Sequence, residues 1–419
     1  KGIDGTGGGG GGAQTSTAGA NGGSGIVLIK YISFNKFVVD YITNVPVITP
    51  NVSINDLDSN YKYVVFQNTG DNQTSYNITF NKSTICDILI VGGGGGGGAG
   101  SGYGSGGGGG AGGLIYKTQE TLSGTYEILV GKEGLGMTYS YSTMENYNNG
   151  SDSGIYDSSG NVLYLTKGGG AGGARKTNGA SGGSGGGGGG GANTTPGTGA
   201  SPINYVPYTH SIGNSGSDGN RYTKGGGGGG AGGPGSLATG TDTSAGNGYN
   251  EGVAGNGGLP IIVDITGENK AYAGGGGGGT WQVEPGDGGS VVIDGQIVKV
   301  GGDGGWQTEP GNGISHTGSG GGGAKHHANG GTVQNAGNGG SGIVIIKYRL
   351  SYQLITDVSN DPVTTPIVSI NTLDSNYKYV VFQNTGDNQT SYNITFTEST
   401  LCDILIVGGG GSGGVRDAG

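Results

Sequence analysis

Residues 86–113 read CDILIVGGGGGGGAGSGYGSGGGGGAGG. Two textures meet here with nothing between them. Cys86–Val91 is a short, continuously apolar run rich in Ile, Leu and Val, which reads as a buried strand. It passes straight into oligoglycine. Similar runs recur at Gly92–Gly98, Gly106–Gly110, Gly185–Gly191, Gly225–Gly230 and Gly274–Gly279, with another at Gly7–Gly12 and shorter ones at 168–170 and 320–323. Several close on alanine, at Ala99, Ala111, Ala171, Ala192 and Ala231. A flexible linker needs neither a fixed length nor an anchored end. Recurrent runs that start at a strand fit better as polyglycine II, a threefold extended helix that rises about 3.1 Å per residue and makes no internal hydrogen bonds. Its N–H and C=O groups point outward in three directions, so several such segments can stack and satisfy one another's backbone. Only glycine allows strands to approach that closely.

Composition points the same way. Glycine supplies 109 of 419 residues, while hydrophobic residues are 31% and charged residues 11%. So little side-chain surface argues against a conventional large core and leaves backbone hydrogen bonding as the force that holds the chain. The net charge of −10 argues against nucleic acid as a partner, which needs a basic surface. No run of 18 apolar residues is present, so no membrane-spanning helix is expected.

Outside the glycine runs the sequence reads as strands. They are expected at Ile26–Tyr31, Tyr61–Gln67, Ser75–Phe80, Thr84–Val91, Thr125–Val130, Asn161–Thr166, Pro260–Ile265 and Ile343–Tyr348. Ser290–Val300 is a hairpin in which Asp294-Gly295 supplies the two positive-φ positions of a type I′ turn. Asp157–Asn161 and Thr266–Asn269 read as looser turns. No segment carries a capped 3.6-residue period. The fold class is therefore all-β with little or no helix, short strands and hairpins framing polyglycine II bundles.

The chain also repeats. SNYKYVVFQNTGDNQTSYNITF at 59–80 recurs unchanged at 375–396, and NGGSGIVLIKY at 21–31 is matched by NGGSGIVIIKY at 338–348. These offsets define a tandem unit of about 316 residues. On that reading, 1–40 ends one unit and 41–348 is a complete one. The complete unit has a strand segment at 41–91 and a glycine-run bundle with hairpins at 92–348. Residues 349–419 begin the next unit. Such a window onto a repetitive array suits a fibre better than an enzyme.

Together these features resemble a known family, the glycine-rich domain of phage tail-fibre, virion and cell-surface fibre proteins. The likeness is carried by Tyr63–Phe66, Ser75–Phe80, Cys86–Gly98, Gly106–Gly113, Gly124–Gly131 and Gly339–Tyr348, in that order. It implies short strands around a polyglycine bundle, used for structure or adhesion. Members of this family often carry one copy near a tip, whereas here the domain repeats, which favours a shaft.

Chemistry has few candidates. G-x-G-x-x-G matches are an automatic product of glycine runs, and no Walker-type phosphate loop occurs. No catalytic residue, cofactor or metal site is expected. His326-His327 lacks a counterpart in the aligned first copy, and His210 and His316 stand alone. Asp56-Leu-Asp58-Ser-Asn60 resembles the start of a calcium loop, but its second copy, Thr372–Asn376, loses a carboxylate. An Asx-type turn is the better reading. Trp281–Gly288 and Trp306–Gly313 are a small internal repeat holding both tryptophans, each with a Pro-Gly turn. Trp281 and Trp306 either cap an end of the glycine bundle or contact a sugar or a neighbouring chain. Cys86 and Cys402 fall at the same place in successive units, as small buried side chains or as a pair between units or chains. Sequons at Asn51, Asn72, Asn77, Asn81, Asn388 and Asn393, with Asn149 and Asn193, are glycosylation candidates only in a source that glycosylates. The expected function is an extended extracellular or virion-surface fibre that self-associates along or between chains. The alternative is an adhesin that holds a cell-surface glycan or protein through the tryptophan loops or the tyrosine-rich Tyr139–Tyr156.

Overall fold

The computed structural model describes most of residues 52–138, 149–191, 212–240, 252–325 and 335–349. It also describes the strands at 26–32, 39–45, 355–361, 368–372, 377–383, 391–396 and 402–407, with a few residues beside them. Among the described residues there is no helix. The strands in chain order are β1 (Ile26–Ile32), β2 (Val39–Val45), β3 (Val52–Asp56), β4 (Tyr61–Gln67), β5 (Thr74–Val91), β6 (Leu114–Val130), β7 (Ser153–Asp157), β8 (Val162–Thr166), β9 (Ile261–Val263), β10 (Lys270–Tyr272), β11 (Ser290–Ile293), β12 (Gln296–Lys299), β13 (Ile343–Arg349), β14 (Ile355–Asp361), β15 (Val368–Thr372), β16 (Tyr377–Gln383), β17 (Ser391–Phe396) and β18 (Cys402–Val407). They fall into two compact units, residues 38–349, and residues 1–37 with 350–419.

The larger unit is built on an antiparallel sheet of order β3-β4-β13-β5-β6-β7-β8, with β2 paired to the first half of β5. The sequence divides β5 into two strands at Asn81–Ser83. The structure runs one strand through both and absorbs the polar break in bulges between Phe80 and Thr84 and between Cys86 and Ile88. Alternation then does its work. Thr74, Tyr76, Ile78 and Phe80 are buried while the residues between them are half-exposed. Past Cys86 the strand becomes central and is buried on both faces at Ile88, Leu89, Ile90 and Val91. β13 lies between β4 and β5, with Ile345 opposite Val65 on one side and Leu89 on the other. Lys347 reaches Asp87 across this pairing at 2.7 Å.

The turns obey their residues. Asp294 and Gly295 both have positive φ, 51° and 79°, as a type I′ turn between β11 and β12 requires. Asp157 closes β7–β8 by accepting the Ser159 and Asn161 N–H groups, both at 2.9 Å. Gly267 turns β9 into β10 at φ 83°.

The glycine runs are strands of a second kind. Along 106–113, hydrogen bonding has a period of three. The N–H groups of Gly106, Gly109 and Gly112 donate to Ala324, Gly321 and Gly318 at 2.9, 2.8 and 2.8 Å. Those of Gly107, Gly110 and Gly113 donate to Gly173, Gly170 and Lys167 at 2.8, 2.8 and 2.9 Å. Those of Gly108 and Ala111 donate to Gly226 and Gly229 at 3.0 and 2.9 Å. The carbonyls of the same segment accept from three further segments, 92–98, 184–190 and 276–279. Residues 106–113 thus form the central rod of a polyglycine II bundle, bonded in three directions as donor and three as acceptor. The absence of Cβ is what permits this. A methyl built on Gly108 would overlap the Gly276 carbonyl oxygen, and one on Gly95 that of Gly170. Those oxygens sit where the second Cα hydrogen points, the arrangement of a Cα–H···O contact.

Alanine flanks several of the rods. Run 92–98 leaves the sheet at Val91 and ends at Ala99; run 106–110 returns and ends at Ala111. Ala99, Ala174, Ala324 and Ala336 gather around Met137 in one small apolar cluster. Ala111, Ala231 and Ala273 join Leu89, Val91, Leu114 and Tyr272 in another at the sheet. The rods shuttle between these two plugs, a span of about 20 Å for seven residues.

The smaller unit contains a sheet of order β15-β16-β1-β18 and a separate β14–β17 pair. Val380 and Phe382 are its buried centre, with Val27, Tyr392, Ile394, Phe396 and Cys402 packed on them.

Candidate functional site

The end of the bundle away from the sheet gathers the two tryptophans that the sequence singled out. Run 274–279 ends at Thr280, next to Trp281, and Gly305 precedes Trp306. The Thr280 N–H donates to the Gly305 carbonyl at 3.1 Å, and the Gly305 N–H donates to Gly323 at 2.9 Å beside Ala324. Both tryptophans therefore leave the bundle at its alanine–Met137 end, on neighbouring segments, and both are half-buried. At the same end, the hydroxyls of Ser105, Thr223 and Thr280 are buried without a protein hydrogen-bond partner. Ser105 directly precedes run 106–110, Thr280 directly follows run 274–279, and Thr223 stands one residue before run 225–230, across Lys224. Nothing in the sequence pattern distinguishes these three from other Ser and Thr residues.

At the sheet end, a groove of about 500 Å³ lies between the β4–β13 face and the β9–β10 hairpin. Asn55, Tyr63, Gln67, Lys270, Tyr272 and His316 line it. Burial, with the nearby Tyr63, pushes the Tyr272 phenol up to about 12. Burial also lowers His316 against the opposing pull of a hydrogen bond at Asn68 and the charge of Glu133. His316 has φ 61°, and its N–H donates to Ser341 Oγ at 3.1 Å. Sequence reasoning missed this groove because its lining is drawn from residues 55 to 345, with no local motif.

The remaining candidates are scattered. Asp58 Oδ1 accepts the Tyr61 N–H at 2.9 Å, an Asx turn leading into β4, while Asp56 pairs with Lys62 at 3.0 Å. Among the described residues no three His, Cys, Asp or Glu side chains converge on a point. Cys86 is buried between β13 and β6, and burial together with Asp87 pushes its thiol up to about 12. Cys402 is half-buried, and neither cysteine is in a disulfide among the described residues. Asn72, Asn81 and Asn393 are exposed and Asn77 is half-buried in β5. Asn149 is tied to the bundle: its Oδ1 accepts the Ala171 N–H at 2.9 Å and its Nδ2 donates to Ser181 at 3.0 Å. Asn51, Asn193, Asn388, His210, His326, His327, Gly7–Gly12 and most of Tyr139–Tyr156 lie outside the described residues.

The model of the glycine-rich domain family matches residues 69–349, from the loop before β5 to the last residue of β13. This chain belongs to the glycine-rich domain family. The match includes every rod described above and the strand that closes the sheet. No curated protein matches the chain. For a glycine-rich domain the two ends of the bundle are the places where side chains can do something, because the rods between them present backbone alone. No described helix is long and apolar enough to cross a membrane.

Proposed function

We propose that this protein is a structural module of an extended fibre outside a cell or on a virion surface, made of tandem glycine-rich domains. The observation that carries the reading is repetition at the level of pairing. The matched strands β1 and β13 are each held between a YKYVVFQ strand and a CDILIV strand, in corresponding registers. Repeat architectures gain stability from such recurring interfaces. Dense backbone bonding gives each unit a stiff centre, and the repeat gives length. The partners on this reading are further copies of the same chain. Electron microscopy of material from the native source tests it: long filaments with an axial period of one unit support the fibre, and isolated particles overturn it.

A second reading, a glycan-binding module, draws on one observation. Trp281 and Trp306, both half-buried, leave the bundle at the same end. A half-exposed aromatic ring suits the apolar face of a sugar. A glycan array probed with the intact chain and with Trp281→Ala and Trp306→Ala tests it. Binding lost in both variants supports this reading, and no binding by the intact chain removes it.

A further inference from the structure

Neither reading above uses the groove at the sheet end, and its lining has a definite chemistry. The floor is one face of the sheet. Alternation puts Tyr63, Val65 and Gln67 of β4 on that face, all half-buried. Asn55 of β3 stands opposite Tyr63, while Ile345 and Ile343 of β13 stand opposite Val65 and Gln67. The floor therefore carries a ring at one end, an aliphatic patch in the middle, and an amide at each end. Lys270 and His316 belong to the wall. That wall is fixed before any ligand arrives. His316 has φ 61° and Ala273, next to Tyr272, has φ 59°, conformations unfavourable for any residue with a Cβ. The Ala273 N–H donates to the Thr317 carbonyl at 2.8 Å, and the His316 N–H donates to Ser341 Oγ at 3.1 Å, so the two strained segments hold each other. Strain of this kind persists only where the surroundings over-determine it, and it collects at ligand sites. The volume, about 500 Å³, falls in the range of small-molecule sites, about 300–1,000 Å³.

Charge narrows the occupant. The chain has 29 Asp and Glu against 19 Lys and Arg, yet none of the described residues that line the groove is Asp or Glu. Lys270 alone among them carries a full charge, since burial favours the neutral ring of His316. Lys270 meets Glu268 at 3.4 Å, but the two side chains are 49% and 76% exposed. Water weakens such a pair, so a ligand carboxylate can take the place of Glu268. The amides of Asn55 and Gln67 both donate and accept, which matches hydroxyl groups. The Tyr63 ring and the Val65–Ile345 patch match the C–H face of a pyranose. A cationic ligand would meet Lys270, and a wholly apolar one would cover the amides without bonding them.

We propose that this groove binds an acidic sugar, with the pyranose ring over Tyr63, its hydroxyls on Asn55 and Gln67, and its carboxylate at Lys270. The site is separate from the tryptophans, which leave the bundle at its other end. It is equally independent of the fibre reading, because a shaft and a tip can each carry it.

The test is a ligand-observed NMR titration of the full chain with glucuronate and galacturonate, and with glucose and galactose as their neutral counterparts. At least one acid should bind at least about fivefold more tightly than its counterpart. Lys270→Gln, a change at an exposed side chain, should remove that preference and leave the neutral sugar unaffected. Tyr63→Leu should weaken acid and neutral sugar alike by at least about fivefold, with far-ultraviolet circular dichroism showing that the strands remain. Trp281→Ala and Trp306→Ala should bind as the intact chain does. Saturation transfer from none of the four sugars overturns the proposal, and so does an acid preference that survives Lys270→Gln. Binding lost with the tryptophans but kept in Lys270→Gln would place sugar recognition at the other end of the bundle and remove this site. Binding lost in Lys270→Gln and kept in both tryptophan variants would uphold the groove and remove the tryptophan reading.

Discussion

Gly108→Ala puts the bundle to its hardest test, because elsewhere the same change stabilises proteins. Where the backbone tolerates alanine, replacing glycine gains about 0.4–1 kcal/mol by restricting the unfolded chain. Gly108 lies mid-way along the central rod. Its N–H donates to Gly226 at 3.0 Å and its carbonyl accepts from Gly187 at 2.8 Å, while a methyl would meet the Gly276 carbonyl oxygen. Making room means moving the 274–279 rod, which overpacking series place at about 1–3 kcal/mol. Stretching the two hydrogen bonds adds about 1 kcal/mol each. Set against the entropy gain, the net loss is about 2–4 kcal/mol. Gly70→Ala is the control, since nothing lies within 4 Å of the added methyl. Urea unfolding of both variants, followed by far-ultraviolet circular dichroism and tryptophan fluorescence, should separate them by that amount. Equal midpoints would refute the claim that the rods touch through their Cα atoms.

Other perturbations separate other terms. Gly295→Ala meets no atom within 4 Å but sits at φ 79°, so it should cost about 1–2 kcal/mol from conformation alone, read from the same urea curves. Alkylation at pH 8 should label Cys402 well before Cys86, since Cys86 is 1% exposed with its thiol pushed up to about 12; mass spectrometry of peptides reads the order, and equal rates would contradict the burial. Tyr272 and Tyr348 are both pushed up to about 12, chiefly by burial. A raised folded value means that their stabilisation is complete below the unfolded value of about 10 and is lost as pH climbs through the folded one. Spectrophotometric titration should therefore show late-ionising tyrosines that coincide with alkaline unfolding, and their early ionisation in a still-folded protein would count against the buried placement.

How much of this was written locally differs element by element. Tyr61–Gln67 is a strand with the bounds its alternation implies, and Asp294-Gly295 declares its turn outright. The glycine runs announce rods. β2, β3 and their repeat copies β14 and β15 have no expected strand, β7 and β10 are implied only by the turns beside them, and β6 is expected only from Thr125. Its first half, Leu114–Leu122, is interrupted by Lys117, Gln119 and Glu120, with Gln119 at φ 61°; what holds it is pairing with the central strand β5, a tertiary effect. Which rod neighbours which is equally absent from the sequence, because every rod offers the same backbone groups and no side chains to tell them apart. The tryptophans were visible as a repeat, Trp281–Gly288 and Trp306–Gly313, but their meeting at one end depends on that hidden arrangement. The groove at Tyr63, Lys270 and His316 depends on it too.

Hydrogen exchange on the intact chain, resolved by mass spectrometry over residues 92–113, measures the central claim most directly. If these glycines form the bonded core, the amides of 106–113 should be among the slowest in the protein, matching those of β5 and β13 and opening only with the whole unit. If they exchange within seconds, as a glycine linker would, the bundle does not exist in solution and the account built on it falls.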